Sequence, residues 1–392
     1  MLMKAFNIDE INRLIDRTII VYGTGVLGEL TYYGLQSMGI TPDYYCDHDP
    51  EETKFMGITV LPPTKLANYS SAVFMVAFKD YCEKAIENLK SAGCSNLYHI
   101  LPLLELDFSF FELSHRAQEM LLRRKAYAGM IKSLCKKDAI RIQHLELMVT
   151  ERCSLRCKDC SSLVPWFKAP EDIDLYKYKC EFDKLVRAVD FISELSVLGG
   201  EPFLNNEISG FMESYVDCDK IGMIAFYTNG TVIPNAKLLE ILSHEKIWVH
   251  ISNYGNVSKN ILKLTELFDG AGVKYFVRTY SEWQDAGNFR KRGRSEAELK
   301  KQYENCFKAR CYSFYKGKLY CCARASNGAA AQVIDDDRRN SFDFNIGKTE
   351  LSDEETVQNL KEWLSGPYFP VCDFCDGLIN GRTGVKPAIQ IQ

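Results

Sequence analysis

Residues 150–160, TERCSLRCKDC, carry three cysteines within eight positions, at Cys153, Cys157 and Cys160. The first of them lies three residues after a strand-like run that ends at Thr150. Three thiolates on one loop can reach one face of an iron–sulfur cube, and a [4Fe–4S] cluster normally takes four thiolates. A site with three protein ligands therefore leaves one iron open to an outside molecule. The alternative is a zinc knuckle, but zinc sites favour paired Cys-x2-Cys halves with a fourth ligand, so the spacing favours iron–sulfur.

A second motif, LGGEP at residues 198–202, follows the next strand-like run. Gly199 and Gly200 allow a sharp turn and a close approach of the backbone to a ligand. Glu201 offers an acceptor for an ammonium group, and Pro202 restricts the turn. The alternative is an ordinary strand-to-helix turn, which would not explain why this motif follows a loop with three cysteines.

Together the two motifs resemble the cluster loop and the GGEP motif of the radical S-adenosylmethionine enzymes, over about residues 141–280. The resemblance implies that the amino and carboxylate groups of S-adenosylmethionine chelate the open iron, with Gly199, Gly200, Glu201 and Pro202 at the amino end. Reduction of the cluster then cleaves the C–S bond, and a 5′-deoxyadenosyl radical takes a hydrogen atom from the substrate. Such chemistry belongs to the cofactor, which the protein positions and shields.

Three residues at later strand ends resemble cofactor-contacting positions of the same family. Asn229 and Ser252 are the expected contacts to the ribose and the cofactor edge, and Arg278 is the expected partner of the cofactor carboxylate. Simple loop capping is the alternative for all three. The chain departs from the family at Asp159, because an aromatic residue usually precedes the third cysteine. This departure weakens any side-chain contact to adenine.

The C-terminal region holds a second group of cysteines, Cys306, Cys311, Cys322, Cys372 and Cys375. Their layout resembles the twitch or SPASM extension of the family, which implies an auxiliary [4Fe–4S] cluster. The implied ligands are Cys322, Cys372, Cys375 and either Cys306 or Cys311, and the spacing to a glycine turn favours Cys306. Cys311 is then free to act as a hydrogen-atom donor. A four-cysteine zinc site with one spare thiol is the alternative.

The N-terminal region begins with a strand-like run and glycines in G-x-G-x-x-G spacing, at Gly23, Gly25 and Gly28. A glycine loop at a helix N-terminus favours phosphate, and Asp47 lies near the position where a ribose-binding acid is expected. The region resembles the small Rossmann-like domains joined to enzymes of surface-sugar biosynthesis. A nucleotide-sugar handle is one hypothesis, and a degenerate domain that serves packing or dimerisation is the other.

The alternation of strand-like and helix-like stretches predicts an α/β fold. We expect a small N-terminal Rossmann-like domain, a partial (β/α)6 radical S-adenosylmethionine barrel and a small C-terminal iron–sulfur domain of the twitch or SPASM kind. The predicted boundaries are 1–105 for the Rossmann-like domain, 106–140 for a helical linker, 141–300 for the barrel and 301–392 for the auxiliary-cluster domain.

Composition limits the expected partners. The 392 residues include 48 Lys and Arg against 52 Asp and Glu, a net charge of −4, so no polybasic surface for nucleic acid or anionic membrane is expected. The sequence has no apolar run of about 18 residues, so no transmembrane helix is predicted. Residues 1–10 lack the apolar segment of a secretory signal. An odd number of cysteines, 15, argues against a secreted disulfide scaffold. These features predict a cytoplasmic protein.

The expected activity is that of a radical S-adenosylmethionine oxidoreductase or epimerase acting on a sugar, a nucleotide sugar or a cyclitol. In an oxidation the auxiliary cluster accepts the second electron and a base removes the hydroxyl proton. The alternatives are a radical epimerase with a cysteine donor, a peptide-modifying SPASM enzyme, and a non-enzymatic iron–sulfur or zinc module. Flavodoxin or ferredoxin is the expected type of reducing partner. Four polar residues follow the last clear strand, Asp285, Asn288, Arg290 and Arg292, and they are interpreted as a solvated loop, with binding of hydroxyls or phosphate as the alternative.

Overall fold

The computed structural model describes residues 16–47, 53–78, 82–122, 124–134, 136, 138–344, 352–378 and 384–391. The chain divides into two compact units, residues 1–139 and residues 140–392. Each unit contains a sheet of largely parallel strands with connecting helices, so the predicted α/β class is confirmed. Within the described ranges, no helix has both the length and the apolar character that crossing a membrane requires.

The first unit is built around a six-stranded sheet. Its strands are β1 (Ile19–Tyr22), β2 (Tyr44–Cys46), β3 (Lys54–Phe55), β4 (Ile58–Leu61), β5 (Val73–Val76) and β6 (Leu97–His99). Their order is β3-β4-β2-β1-β5-β6, and all neighbours are parallel except the hairpin of β3 and β4. The four residues of β1 are buried, as expected for a strand in the middle of a parallel sheet. A first strand in the middle gives a doubly wound arrangement.

The helices of the first unit follow these strands. They are α1 (Val26–Gln36), α2 (Cys82–Ser91), α3 (Leu101–Leu104), α4 (His115–Leu122) and α5 (Arg124–Leu134). The last two lie in the range predicted as a helical linker.

The second unit is built around an eight-stranded sheet and a short two-stranded ribbon. Its strands are β7 (Arg141–Met148), β8 (Phe191–Leu198), β9 (Ile221–Thr228), β10 (Ile247–Asn253), β11 (Tyr275–Thr279), β12 (Trp283–Gln284), β13 (Cys311–Tyr315), β14 (Lys318–Tyr320), β15 (Ser341–Asp343) and β16 (Gly384–Val385). The large sheet has the order β11-β10-β9-β8-β7-β13-β14-β15, and β12 pairs with β16 in the ribbon. The strands from β11 through β7 to β13 are parallel, whereas β14 and β15 are antiparallel to their neighbours.

The range predicted for the barrel, residues 141–300, supplies five of the six parallel strands in this sheet. The sixth is β13, which comes after residue 300 and pairs with β7, with Cys311 opposite His144. The sheet therefore continues across the predicted boundary at residue 300. The division of the chain into four parts stays a prediction.

Two of the seven described helices of the second unit begin at a capping box. The seven are α6 (Lys179–Ala188), α7 (Ile208–Met212), α8 (Ala236–Leu242), α9 (Ile261–Ala271), α10 (Glu296–Asn305), α11 (Ala323–Ala330) and α12 (Asp353–Leu364). Ser295 and Glu298 form a capping box at the start of α10, and Ser352 and Glu355 form one at the start of α12. Between helices and sheet lies an apolar core that includes Phe182.

Parallel strands end at the same edge of a sheet, and this edge carries the functional residues of such folds. Here β7 leads into residues 150–160, which we call the cluster loop, and β8 leads into the GGEP motif at residues 199–202. β9 leads into Asn229 in the same way. The fold therefore brings three segments that are far apart in the sequence to one place.

Candidate active site

The GGEP motif lies directly against the cluster loop. The Gly200 N–H donates to the Thr150 carbonyl at 2.9 Å, and the Glu201 N–H donates to the Arg152 carbonyl at 2.8 Å. A Cβ on Gly199 would lie 2.3 Å from the Thr150 oxygen, and one on Gly200 would lie 2.1 Å from the Arg152 oxygen. Such distances are sterically forbidden, so both positions need glycine. The close approach expected of these glycines is made by the backbone of the cluster loop.

Glu201 is completely buried, and its carboxylate accepts three hydrogen bonds. The donors are the Thr228 hydroxyl at 2.8 Å, the Asn229 N–H at 2.8 Å and the Phe203 N–H at 3.3 Å. Burial raises the pKa of Glu201 to about 7, although these bonds lower it in part. The carboxylate thus ties the end of β9 to the GGEP turn. The expected contact of Glu201 with the amino group of S-adenosylmethionine stays a prediction. Pro202 is also buried, and its expected place at the amino end of the cofactor stays a prediction as well.

Asn229 contacts a cysteine of the cluster loop. Its side-chain amide lies 3.4 Å from Cys153 Sγ and 3.2 Å from Ser154 Oγ, and its side-chain carbonyl accepts from Thr231. Sequence reasoning placed Asn229 at a ribose, and it did not foresee the contact with sulfur. An amide donor beside a cysteine sulfur favours the thiolate.

Ser252 and Arg278 lie at the ends of neighbouring strands and are opposite each other in the register of β10 and β11. Ser252 is buried, and its carbonyl accepts from the Ser258 hydroxyl at 3.1 Å. Arg278 is exposed, and its guanidinium lies 4.8 Å from the centre of the Tyr280 ring. Their roles toward S-adenosylmethionine stay predictions.

The three thiols of the cluster loop are enclosed. Burial raises the pKa of Cys153 to about 12 and also raises the pKa values of Cys157 and Cys160. The Leu155 N–H lies 3.4 Å from Cys153 Sγ, and the Gln390 side-chain amide lies 3.2 Å from Cys157 Sγ. A metal ligand must be thiolate, so buried thiols with N–H donors suit a site where bound iron supplies the positive charge.

The thiols of neither group are spaced as ligands of a single zinc ion would be. Zinc holds each sulfur at about 2.3 Å, so the sulfurs of a tetrahedral site lie about 3.8 Å apart. Within the part of the chain that the structure describes, His144, Glu146 and Cys311 are the one group of three or more such ligands within 4.8 Å of one another. Neither the trio of the cluster loop nor any three C-terminal cysteines meet that condition.

A cavity of about 500 Å³ lies beside the cluster loop. Its lining includes Cys160 of the cluster loop and the C-terminal group Cys306, Cys311, Cys322, Cys372 and Cys375. The fold thus brings one thiol of the cluster loop to the wall of the same cavity as this C-terminal group, which is well separated from it in sequence.

Cys372 and Cys375 are held by hydrogen bonds to their own carbonyls. Arg294 donates to the Cys372 carbonyl at 3.2 Å and to the Cys375 carbonyl at 2.8 Å. Gln302, on α10, donates to the same two carbonyls at 2.7 Å and 2.9 Å. This shared recognition fixes the backbone that presents the two thiols.

Cys306 and Cys322 belong to the same group as these two cysteines. Burial, followed by the charge of Cys322, raises the pKa of Cys372 to about 12, and Cys375 and Cys306 contribute further. The pKa of Cys322 is lowered, above all by a hydrogen bond from Cys321. These interactions support Cys306 as the fourth ligand, although the ligand set stays a prediction.

The Cys311 thiol contacts Glu146 and Lys308. Its thiol donates to Glu146 Oε1 at 3.4 Å, and Lys308 Nζ lies 3.0 Å from the same oxygen and 3.7 Å from the sulfur. Burial, followed by the charge of Glu146, raises the pKa of Cys311 far above its usual range, so the thiol keeps its hydrogen. His144 is engaged with the Ser196 hydroxyl at 2.9 Å. The Lys308 ammonium already provides the positive charge here, which argues against a metal ion at this cluster.

The stretch 285–292, interpreted as a solvated loop, is exposed in part and is also held by a contact within the fold. Asp285 and Asn288 are exposed, yet they belong to the wall of the cavity. Arg292 Nε lies 2.9 Å from Asp376 Oδ1, an ion pair across 84 positions of sequence. The C-terminal region therefore fixes this stretch, and no local pattern in it signalled that contact.

Comparison with known proteins supports a common origin for part of the chain. No family model matches the sequence. A GTP 3′,8-cyclase of Clostridium acetobutylicum is 29% identical over 142 residues, which cover 34% of this chain and 43% of that protein. A GTP 3′,8-cyclase of Aliarcobacter butzleri is 30% identical over 94 residues, which cover 24% of this chain and 29% of that protein. These matches confirm the predicted resemblance of this region to the radical S-adenosylmethionine enzymes.

The similarity to these relatives is partial, because the chain spans less than half of the length of the curated proteins it matches. Among solved structures, BtrN in complex with AdoMet and 2-DOIA is 17% identical, with 65% of this chain and 98% of that chain covered and a TM-score of 0.40. For SuiB of Streptococcus suis the identity is 18%, the coverages are 52% and 45%, and the TM-score is 0.31. TM-scores of 0.40 and 0.31 are too low to establish a common fold. The predicted resemblance to the radical S-adenosylmethionine enzymes is confirmed, whereas the twitch or SPASM extension stays a prediction.

Two glycines of the glycine loop in the first unit have a structural explanation. A Cβ on Gly23 would lie 2.5 Å from the Ala77 carbonyl oxygen, and one on Gly28 would lie 2.2 Å from the Gly23 carbonyl oxygen. Asp47 accepts from the N–H and the hydroxyl of Thr24, at 2.8 Å and 2.7 Å. Internal packing accounts for these two glycines, while Gly25 has open space around it. Nucleotide binding by this loop stays a prediction.

Proposed function

We propose that this chain is a radical S-adenosylmethionine oxidoreductase that dehydrogenates a hydroxylated small molecule, namely a sugar, a nucleotide sugar or a cyclitol. Cys153, Cys157 and Cys160 bind the [4Fe–4S] cluster that holds S-adenosylmethionine. A second [4Fe–4S] cluster is bound by Cys306, Cys322, Cys372 and Cys375. The observation that carries the proposal is the single cavity lined by Cys160 and by all four of these C-terminal cysteines.

Two sets of thiols at one cavity favour an oxidation. When bound, the first cluster and S-adenosylmethionine supply a 5′-deoxyadenosyl radical, and the second cluster supplies an acceptor for one electron. A CH–OH group in the cavity loses one hydrogen atom, one proton and one electron, and it becomes a ketone. The chain must therefore hold the substrate between the two thiol groups and provide a base for the proton.

Glu146 is the residue that we assign to that proton. Its carboxylate lines the cavity, and its side chain is only 6% exposed. The Lys308 ammonium, 3.0 Å away, orients the carboxylate and offsets its charge. A general base must be within hydrogen-bond reach of the proton that it takes, so the substrate hydroxyl has to bind against Glu146 in the cavity wall. The polar groups of Asp285 and Asn288 in the cavity wall support a substrate with several hydroxyls.

The residues at the strand ends are proposed to hold the cofactor. Gly199, Gly200, Glu201 and Pro202 lie at its amino end, and Asn229, Ser252 and Arg278 lie toward its ribose and carboxylate. This assignment rests on the family resemblance. An exchangeable one-electron donor of the flavodoxin or ferredoxin type is the proposed reductant.

A second candidate is a radical epimerase, which Cys311 favours. Its thiol lines the same cavity, is buried and donates to Glu146. Because burial raises the pKa of Cys311, the thiol retains the hydrogen that an epimerase returns to the opposite face of the carbon. In that reaction the second cluster would not collect an electron from the substrate. The Cys311 thiyl radical that remains would instead take one electron from the proposed reductant and one proton from solvent.

The test begins with anaerobic reconstitution of the full chain with iron and sulfide, followed by S-adenosylmethionine and dithionite. The expected product is 5′-deoxyadenosine, and Cys157→Ala is the inactive control. The assay is run with a panel of nucleotide sugars, cyclitols and peptides, because some radical enzymes cleave S-adenosylmethionine only with substrate bound. No 5′-deoxyadenosine with any of them, from a chain with an intact cluster, would refute the proposal.

The mass of the product and its deuterium content after reaction in D2O distinguish a dehydrogenase from an epimerase. A dehydrogenase yields a product two mass units lighter than its substrate, and no solvent deuterium is found at the attacked carbon. An epimerase run in D2O yields a product of inverted configuration that carries one deuterium at that carbon.

A further inference from the structure

A C-terminal segment, residues 388–391, lies along the cluster loop. Cys157 and Gln390 form an antiparallel bridge. The Lys158 N–H donates to the Ile389 carbonyl at 2.8 Å, and the Ile391 N–H donates to the Arg156 carbonyl at 2.9 Å. The segment is joined further upstream to the ribbon of β12 and β16. Backbone pairing on both sides of Cys157 therefore fixes this part of the loop.

The side chain of Gln390 makes a separate set of contacts. Its carbonyl oxygen accepts from the Arg156 N–H at 2.8 Å. Its amide nitrogen donates to Cys157 Sγ at 3.2 Å and to the Ala388 carbonyl at 2.8 Å. The reverse orientation of the amide would set NH2 against an N–H and leave the Ala388 carbonyl facing an oxygen, so the network fixes which end points to sulfur.

We infer that Gln390 is a positioning residue for the first cluster, which holds the Cys157 thiolate and raises the reduction potential of that cluster. The inference rests on the proposed function, since it takes Cys157 as a cluster ligand. A reduced cluster carries one more negative charge than an oxidised one, and an N–H donor at a ligand sulfur stabilises that charge. Cys157 is only 6% exposed and Gln390 is exposed, so the contact is partly shielded from water on the side of the sulfur.

The experiment measures the first cluster directly, without a substrate. Full-length protein is reconstituted anaerobically and titrated with dithionite against redox mediators, and the reduced cluster is counted by EPR. The signal of the first cluster is the one that added S-adenosylmethionine alters. Iron per chain is measured for every variant, together with the melting temperature.

Three variants are compared with the wild type. Gln390→Leu removes both the donor and the acceptor, whereas Gln390→Glu keeps the acceptor for Arg156 and replaces the donor by a negative oxygen. Ile391→Ala is the matched control, because its side chain is 37% exposed and its backbone contact to Arg156 is retained. At a fixed solution potential we expect about a tenfold lower ratio of reduced to oxidised cluster for Gln390→Leu, equivalent to about 59 mV for a one-electron couple.

Gln390→Glu is expected to lower the ratio further, and Ile391→Ala is expected to match the wild type. A specific loss of iron in both Gln390 variants, with iron retained in Ile391→Ala, would also support the positioning role. If Gln390→Leu does not fold, Gln390→Glu decides the question. The wild-type ratio and wild-type iron content in Gln390→Glu would overturn the inference. A wild-type chain that takes up no cluster would instead refute the proposed function, so the two failures are distinguishable.

Discussion

The carboxylate of Glu201 accepts a hydrogen bond from the backbone N–H of Asn229 at 2.8 Å. The side-chain amide of the same asparagine lies 3.4 Å from Cys153 Sγ. The acid of the GGEP motif therefore acts on the cluster loop through one intermediate residue. Complete burial raises the pKa of Glu201 from 4.5 to about 7, so its charge destabilises the folded chain and its hydrogen bonds offset this only in part.

This raised pKa predicts a pH dependence of stability. Between pH 4.5 and about 7 the carboxyl group is protonated in the folded chain and ionised in the unfolded one. The stabilisation that this proton provides is therefore complete below about pH 4.5 and is lost as the pH rises through about 7. A pKa change from 4.5 to about 7 corresponds to about 3 kcal/mol. Between about pH 5 and 8, the melting temperature of the cluster-free wild type is expected to fall relative to that of Glu201→Gln. Parallel curves for the two proteins would contradict the burial argument.

Gly200→Ala is expected to displace the cluster loop. The added Cβ would lie 2.1 Å from the Arg152 carbonyl oxygen and 2.9 Å from Cys153 Cβ. Neither of these atoms can move away without a shift of the backbone. We expect a loss of about 2–4 kcal/mol in the free energy of unfolding and a strong loss of reconstituted iron.

Gly270→Ala is the matched control for that change. Gly270 lies in helix α9, and nothing lies within 4 Å of its added Cβ. Alanine in a helix is favoured over glycine by about 0.5–1 kcal/mol, so this variant should retain its iron and melt slightly higher. Equal iron content in the two variants would show that Gly200 tolerates a side chain.

Cys306→Ala and Cys311→Ala are expected to differ in iron content. If Cys306 is the fourth ligand of the second cluster, its loss lowers the iron by up to about four per chain. Cys311→Ala should keep the iron of both clusters, because the Cys311 thiol bonds to Glu146 instead. Chemical analysis of iron and sulfide checks this, with the exposed Cys180→Ala as control. The reverse pattern would make Cys311 the ligand.

Glu146→Gln is expected to separate hydrogen abstraction from oxidation. The amide cannot take the hydroxyl proton, so turnover to the ketone should fall by about 10²–10⁴. Formation of 5′-deoxyadenosine with substrate should continue, and the ratio of ketone to 5′-deoxyadenosine is the measurement. Glu194→Gln is the control, since Glu194 bonds to Ser196 and Tyr227 and is not part of the cavity wall. A ketone yield unchanged by Glu146→Gln would exclude it as the base.

Two residues of the site, His144 and Glu146, were not predicted from the sequence, although they form a recognisable pattern in it. His144 and Glu146 are polar residues at alternate positions of β7, so they share one face of a strand that is otherwise rich in apolar residues. Two polar side chains on one face of β7 indicate a polar environment inside the fold at this place in the sheet. Lys308 gave no comparable signal, because its contact with Glu146 spans 162 positions.

By itself, the sequence determined the α/β alternation, the cluster loop and the GGEP turn, because each depends on residues that are close together along the chain. Tertiary structure alone decided that β13 lies beside β7 and that Gln390 reaches Cys157 across 233 positions. Strands that follow one another usually pair, and β13 departs from that rule by joining the far edge of the parallel series. Sheet order and core packing bring such distant residues together, and neither is encoded in local spacing.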